Sequence, residues 1–241
     1  MKILLTNDDG IHFDGLWMLY RQLNRRHSVV VVAPDRERSA IGHAITLNRP
    51  LRAVQVEVNG GFNGFAVNGT PADCVKLGIL ELLDTPPDFV IAGINPGANV
   101  GANLNYSGTV AAAKEAALYG VAAIAVSMDG SETVHYDDAA LFILQLTESI
   151  FEKGLPRGTF LNVNMPNMAV KETTGIRTSR QGQPLSFDYF DRRVDPRNRT
   201  YYWQGRETQR FDNHPNVDGT ALDEKFISIT PVKCDMTDYD V

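Results

Sequence analysis

Cysteine is nearly absent. The 241 residues contain two, Cys74 and Cys234, far apart and without a Cys-x-x-Cys pair. That argues against a disulfide-stapled scaffold and a thiolate zinc site, and both read as reduced, buried small side chains in a cytoplasmic protein. Long hydrophobic runs are missing too. Stretches such as Val29 to Ala33 are far too short to span a bilayer, so no membrane association is expected. At the N-terminus Ile3-Leu4-Leu5 is cut off by Thr6-Asn7-Asp8-Asp9, so no signal-peptide core forms. Positive charge is in deficit: 23 Lys and Arg stand against 29 Asp and Glu, a net charge of −6. Such a chain is a poor general binder of nucleic acid, although an ion or a helix end can still attract a phosphorylated small molecule. No internal repeat or low-complexity tract occurs. What remains is an ordinary globular composition, 43% hydrophobic and 22% charged, with enough apolar residues for a sizeable core.

The chain opens with a pattern of alternating strands and helices. Lys2 to Thr6 is a short apolar run stopped by Asn7-Asp8-Asp9-Gly10, which reads as a buried strand ending in a turn. Leu16, Leu19, Tyr20 and Leu23 share one helical face. Ser28 to Ala33 is a second strand, stopped by Pro34. Asp35 to Pro50 reads as a long polar loop, and Leu51 to Val58, ending in Asn59-Gly60-Gly61, as one arm of a hairpin. A helix opens at Thr70-Pro71 and carries Val75, Ile79 and Leu82. Asp88 to Ala92 is a strand, and Ile94 to Tyr106 a loop rich in Gly and Asn. Ser107-Gly108-Thr109 opens an Ala-rich helix to about Tyr119. Val121 to Ser127 reads as a strand, and Ala139, Ile143, Leu146 and Ile150 mark another helix. This alternation predicts an open, mostly parallel α/β sheet. The texture changes after residue 165. Between Phe187 and Asn213 lie seven of the 21 aromatic residues and six arginines, which suggests an extended arm or hairpin rather than another layer. The expected division is a core over 1–165, then an arm and the late strand Phe226 to Val232 over 166–241.

In open α/β sheets, ligands bind outside the carboxyl ends of the strands. Three polar clusters fall at such ends: Asp8-Asp9, the stretch Pro34 to Ser39, and the stretch Gly93 to Asn99. Adjacent carboxylates repel unless a cation neutralises them, and oxygen ligands suit a hard ion such as Mg²⁺ or Mn²⁺. Ser39 and Asn95 could add neutral oxygens. The bland alternative is that Asn7 to Gly10 is only a turn, and on position alone the two readings stand level. Ser107-Gly108-Thr109 opens a helix, where free N–H groups and the dipole favour an anion, although taken alone it reads better as a plain N-cap. Metal beside an anion site is what phosphate-ester chemistry requires. His43 could be a proton donor, but a single loop histidine is ordinarily solvated. Asp73 reads as a first-turn helix acid.

Together these stretches resemble the SurE (survival protein E) family of metal-dependent nucleotidases. The matches are ILLTNDDG (3–10), APDRERSA (33–40), GTPADCV (69–75), AGINPGANVG (92–101), YSGTVAAAKE (106–115), LNVNMP (161–166) and FISITPV (226–232), in family order. The resemblance implies a Rossmann-like three-layer α/β fold with a mostly parallel sheet and a C-terminal arm exchanged between subunits of a homodimer or homotetramer. It implies one divalent ion held by Asp8, Asp9, Ser39 and Asn95, with Asp8 and Asp9 catalytic. It implies phosphate binding by Asn95, Ser107, Gly108 and Thr109. The implied reaction is hydrolysis of nucleoside 5′-monophosphates, extending to 3′-monophosphates and in some members to short polyphosphate. Asn103 departs from the pattern at a position usually acidic in the family, and the sequence stops at Val241 where many members carry a further tail. Two other functions fit the same residues: a metal-dependent nucleotide-sugar transferase, and a nucleotide-binding module without catalysis.

Overall fold

The computed structural model describes residues 1–58, 61–130, 135–183, 188–206 and 214–239. Its first half runs β1 (Lys2–Thr6), α1 (Asp14–Leu23), β2 (Ser28–Pro34), β3 (Ala53–Val58), β4 (Phe62–Val67), α2 (Pro71–Leu77), β5 (Phe89–Pro96) and α3 (Gly108–Leu118). There follow β6 (Ala122–Met128), α4 (Tyr136–Lys153), β7 (Thr159–Met165), β8 (Gly175–Thr178), β9 (Asp188–Val194), β10 (Thr200–Arg206), α5 (Asp218–Asp223) and β11 (Phe226–Lys233). Nine strands form one sheet in the order β3-β4-β2-β1-β5-β6-β7-β11-β8. The six from β4 to β7 in that order are mutually parallel, and β3 and β11 pair antiparallel to their neighbours β4 and β7. The late strand thus lies inside the sheet, between β7 and β8.

Three layers result because the central strands are buried on both faces. Successive residues of a strand point to opposite sides. Ile3, Leu5 and Ile91 enter one core with Leu16, Trp17 and Leu19 of α1 and Ile143 of α4. Leu4, Val90 and Ala92 enter the other with Val75 of α2 and Ala112, Ala113 and Ala116 of α3. This explains the unbroken apolar runs in β1 and β5. Among the described residues no helix is long and apolar enough to cross a membrane.

Two expected boundaries shift. The strand read as ending at Ala92 continues to Pro96, because Asn95 and Pro96 pair with Ser127 and Met128 beyond a bulge. Gly93 makes the bulge possible: its φ is +141°, and a Cβ there would lie 2.5 Å from the carbonyl oxygen of Val126. The expected loop therefore shortens, and its later part is a 3-10 turn over Gly101–Asn105. The helix opened by Thr70 ends as an α-helix at Leu77 and continues as a single wide turn over Gly78–Leu82. The aromatic arm is a two-stranded antiparallel ribbon, β9 with β10. Phe187 and residues 207–213 of that arm, with Asn59 and Gly60 of the first hairpin, lie outside the described residues.

The topology selects one place for a site. The chain leaves β1 to one side for β2 and returns to its other side as β5. A crevice opens outside the carboxyl ends of strands where the order reverses in this way. Asp8 and Asp9 lie in the turn just after β1, and Asn95 is the penultimate residue of β5.

Candidate active site

Asn7 closes the turn after β1. Its Oδ1 accepts the Gly10 N–H at 3.1 Å, and its Nδ2 donates to the Gly10 carbonyl at 3.0 Å. The turn is thereby closed by Asn7, not by the two aspartates that follow it. Asp8 is 4% exposed. Its carbonyl accepts the Arg38 N–H at 2.7 Å, which ties the loop after β2 to the end of β1.

Asp8 packs against the start of α3. The Thr109 hydroxyl donates to Asp8 Oδ1. Burial pushes the Asp8 carboxyl above its ordinary range, opposed by that hydroxyl and by the backbone N–H groups of Thr109 and Gly108. The approach is close enough to demand glycine. A Cβ on Gly108 would lie 2.8 Å from Asp8 Cβ and 3.0 Å from its Oδ2. Ser107 caps the helix, its Oγ accepting the Val110 N–H at 3.2 Å.

Asp9 is the less satisfied carboxylate. Its Oδ2 is buried and accepts no hydrogen bond among the described residues. Burial, then the charges of Asp8 and Glu37, push its pKa up to about 7. Among the described residues neither aspartate is in an ion pair. Nor does any group of three His, Cys, Asp or Glu come together there to hold a metal, so a cation at this site would need neutral oxygens as well.

Those oxygens are close by. A cleft of about 190 Å³ is lined by Asp8, Ser39, Asn95 and Ser107, together with Asn99, Asn103 and Tyr106. Ser39 is exposed, and its Oγ donates to Glu37 Oε1 at 2.5 Å. Asn95 Nδ2 donates to the Gly97 carbonyl at 2.6 Å, which leaves Oδ1 as its acceptor. Asp9, Gly108 and Thr109 do not line the cleft. Gly108 and Thr109 are buried, and the Thr109 hydroxyl is spent on Asp8.

Sequence reasoning placed Asn99 in the third polar cluster but missed the partners that fix it in the cleft wall. Asn99 donates its N–H to Asn164 Oδ1 at 2.7 Å and its Nδ2 to Ser127 Oγ at 2.8 Å. Asn162 Nδ2 donates back to the Asn99 carbonyl at 2.8 Å. The available signal was two asparagines at alternate positions of the wholly buried strand β7. Asp218 is the second omission. Fully buried, it accepts the N–H groups of Gly101 at 2.9 Å, Gly182 at 2.9 Å and Gly219 at 2.8 Å. It holds the 3-10 turn, the strand-leading segment at 182 and α5 together.

The model of the family "Survival protein SurE" matches residues 3–186. The chain belongs to the SurE family. A relative from Desulfatibacillum aliphaticivorans named 5′-nucleotidase SurE is 59% identical over 99% of this chain and 94% of its own. Another of the same name, from Syntrophobacter fumaroxidans, is 46% identical over 100% of this chain and 96% of its own. Among solved structures, the crystal structure of the SurE protein from Aquifex aeolicus superposes with a TM-score of 0.88 at 36% identity, covering 100% of this chain and 96% of that one. The SurE signature runs NDDG, GIN and YSGT thus coincide here with the turn after β1, the bulged end of β5 and the cap of α3.

Proposed function

We propose that this SurE chain is a divalent-metal-dependent phosphomonoesterase that converts nucleoside 5′-monophosphates to nucleoside and phosphate. One observation carries the reading: of two adjacent carboxylates at the switch point of a parallel sheet, Asp8 meets the N-terminus of a helix and Asp9 has a buried oxygen with no partner among the described residues. The names of its relatives supply the substrate class. The residues present fit a hard cation. An orphaned buried oxygen on Asp9, beside a second carboxylate, suits an acidic pair whose counter-charge is a separate ion. Asp8 and Asp9 would hold the ion, with Ser39 Oγ and Asn95 Oδ1 completing the protein oxygens. Such an ion, Mg²⁺ or Mn²⁺, supplies electrophilic pull on a phosphoryl oxygen and lowers the pKa of water.

The chain's own groups do the rest. Asn7 closes the turn that carries both aspartates. Thr109 and the first N–H groups of α3 steady Asp8. The Ser107 hydroxyl, on the cleft wall, takes a remaining phosphoryl oxygen, Asn95 stands beside it on the same wall, and Gly108 and Thr109 bring the positive end of the α3 dipole to them. Water would attack phosphorus in line with the departing nucleoside oxygen, which leaves with the proton the water gives up, while Asp8 and Asp9 would be reserved for holding the ion rather than for a covalent intermediate. Recognition centred on the phosphoryl group extends the same chemistry to 3′-monophosphates and the ends of short polyphosphate. Phosphate release from a panel of 5′- and 3′-nucleotides and tripolyphosphate tests this, first in EDTA and then with single divalent ions restored. Release from AMP or GMP only with an ion supports the reading. Consumption of a sugar acceptor without phosphate release supports the transferase, and tight binding without turnover supports the non-catalytic module.

We also propose that the β9–β10 ribbon joins subunits in a homodimer or homotetramer. Tyr189 and Phe190 are adjacent, as are Tyr202 and Trp203, so both faces of the ribbon expose aromatics, with Phe190 65% and Trp203 62% exposed.

A further inference from the structure

A second groove, of about 140 Å³, adjoins the cleft, and Ser107 lines both. Its walls mix polar and apolar groups: His43, Asn105 and Lys114 with Val110 and Phe160. The histidine is held far more firmly than an ordinary loop residue. Before it, the Gly42 N–H donates to the Tyr106 carbonyl at 2.9 Å. After it, the Ala44 carbonyl accepts the Thr70 hydroxyl at 2.8 Å, and the Thr46 N–H donates to Asp73 Oδ1 at 3.0 Å. Thr70 and Asp73 also form the capping box of α2, so one pair both starts a helix and clamps this loop. The ring itself is fixed by Glu115, a carboxylate only 6% exposed, whose Oε2 lies 2.7 Å from His43 Nε2. The other oxygen of Glu115 is 4.0 Å from Lys76 Nζ. With Nε2 engaged, Nδ1 is the ring nitrogen left to meet a ligand.

A buried carboxylate and a doubly clamped loop are a large investment for a solvated side chain. We propose that this groove is the nucleoside subsite of the enzyme, and that His43 is its specificity-determining hydrogen-bonding residue. The inference rests on the phosphomonoesterase reading for the placement of the phosphate. With the phosphoryl group at Asp8, a nucleotide's ribose and base extend past Ser107 into the groove. A ribose hydroxyl, able both to donate and to accept, suits Nδ1. The flat base meets Val232 and the exposed Met236, which line the apolar side of the same groove.

Calorimetric titration of adenosine into wild type and His43→Ala tests the subsite without turnover. Adenosine is expected to bind wild type, and about tenfold more weakly to the variant, the effect of one ligand hydrogen bond. In parallel, the ratio of kcat/KM for AMP to that for p-nitrophenyl phosphate is expected to fall about tenfold in the variant, mainly through KM. Equal adenosine affinity in the two proteins, or no adenosine binding to wild type, overturns the subsite even if AMP is hydrolysed. Adenosine binding that depends on His43 in a protein that hydrolyses neither ester upholds the subsite and defeats the hydrolytic reading instead.

Discussion

The hydroxyl of Thr109 donates to Oδ1 of Asp8, joining the first turn of α3 to the turn after β1 across 101 residues of sequence. This contact makes the helix end part of the acidic site. It fixes one carboxylate and offsets part of the energetic penalty of burying it. Thr109→Val keeps the shape and removes the donor. A loss in kcat of roughly tenfold to a hundredfold is expected, with Thr109→Ser close to wild type. Steady-state kinetics on AMP check it, and equal activity of the Val and Ser variants would remove the hydroxyl from the account.

Gly108→Ala is expected to lower kcat/KM by about a hundredfold. In an unconstrained helix, alanine would stabilise the first turn. Here its Cβ would lie 2.8 Å from that of Asp8, so either the carboxylate or the helix start must move. Kinetics together with a melting curve separate this from unfolding: activity should fall while the protein still melts cooperatively.

Asp9 makes the ion-free protein sensitive to pH. Its pKa is raised from 3.8 to about 7 in the folded state. Below about pH 4 both states hold the proton and nothing is lost. As pH rises towards 7, the unfolded chain releases it first, so folding stability declines through that window and then levels off. Asp9→Asn removes the effect. In EDTA the variant should be more stable than wild type at about pH 8, by on the order of 2 kcal/mol after allowing for partial exposure, and the gap should close at about pH 4. Saturating divalent ion should stabilise wild type more than the variant. Chemical denaturation at the two pH values measures it, and a gap that widens on acidification contradicts it.

Asp218→Ala leaves three buried N–H groups without an acceptor. A loss of about 2–4 kcal/mol in unfolding free energy is expected. Amide exchange should rise at Gly101 and Gly182 ahead of the central strands.

The ribbon aromatics give a separate test. Light scattering at micromolar concentration should show at least twice the chain mass. Phe190→Ser with Trp203→Ser should shift it towards the monomer, because the exposed rings no longer drive association. A monomeric wild type contradicts the assignment of the ribbon to an interface.

Much of the sheet was legible because β1, β2 and β6 are apolar on both faces and sit between turn residues, and such runs have one stable place in an α/β fold. Asp8, Ser39 and Asn95 were legible as a group because strand order carries their loops to one edge. The longer reach of β5 was not, since a bulge at Gly93 depends on the carbonyl of Val126, a contact no local pattern records. The task of Thr109 was hidden for the same reason. A Ser-Gly-Thr helix start reads as an N-cap or an anion site, and only the fold shows an aspartate of the same chain approaching it. Asn162 and Asn164 were passed over because their partner, Asn99, is more than sixty residues away. His43 read as solvated because the carboxylate that grips it lies on α3.

Phosphate release from AMP by chelator-stripped protein, with Mn²⁺ or Mg²⁺ then restored, tests the acidic pair most directly when wild type and Asp9→Asn are assayed side by side. Wild type should be silent in EDTA and recover with the ion, while Asp9→Asn, still folded by circular dichroism, should stay at least about a thousandfold below the ion-restored wild type in both conditions. Full turnover by wild type without any ion, or recovery of the variant to the wild-type rate, would contradict a divalent ion held by Asp8 and Asp9.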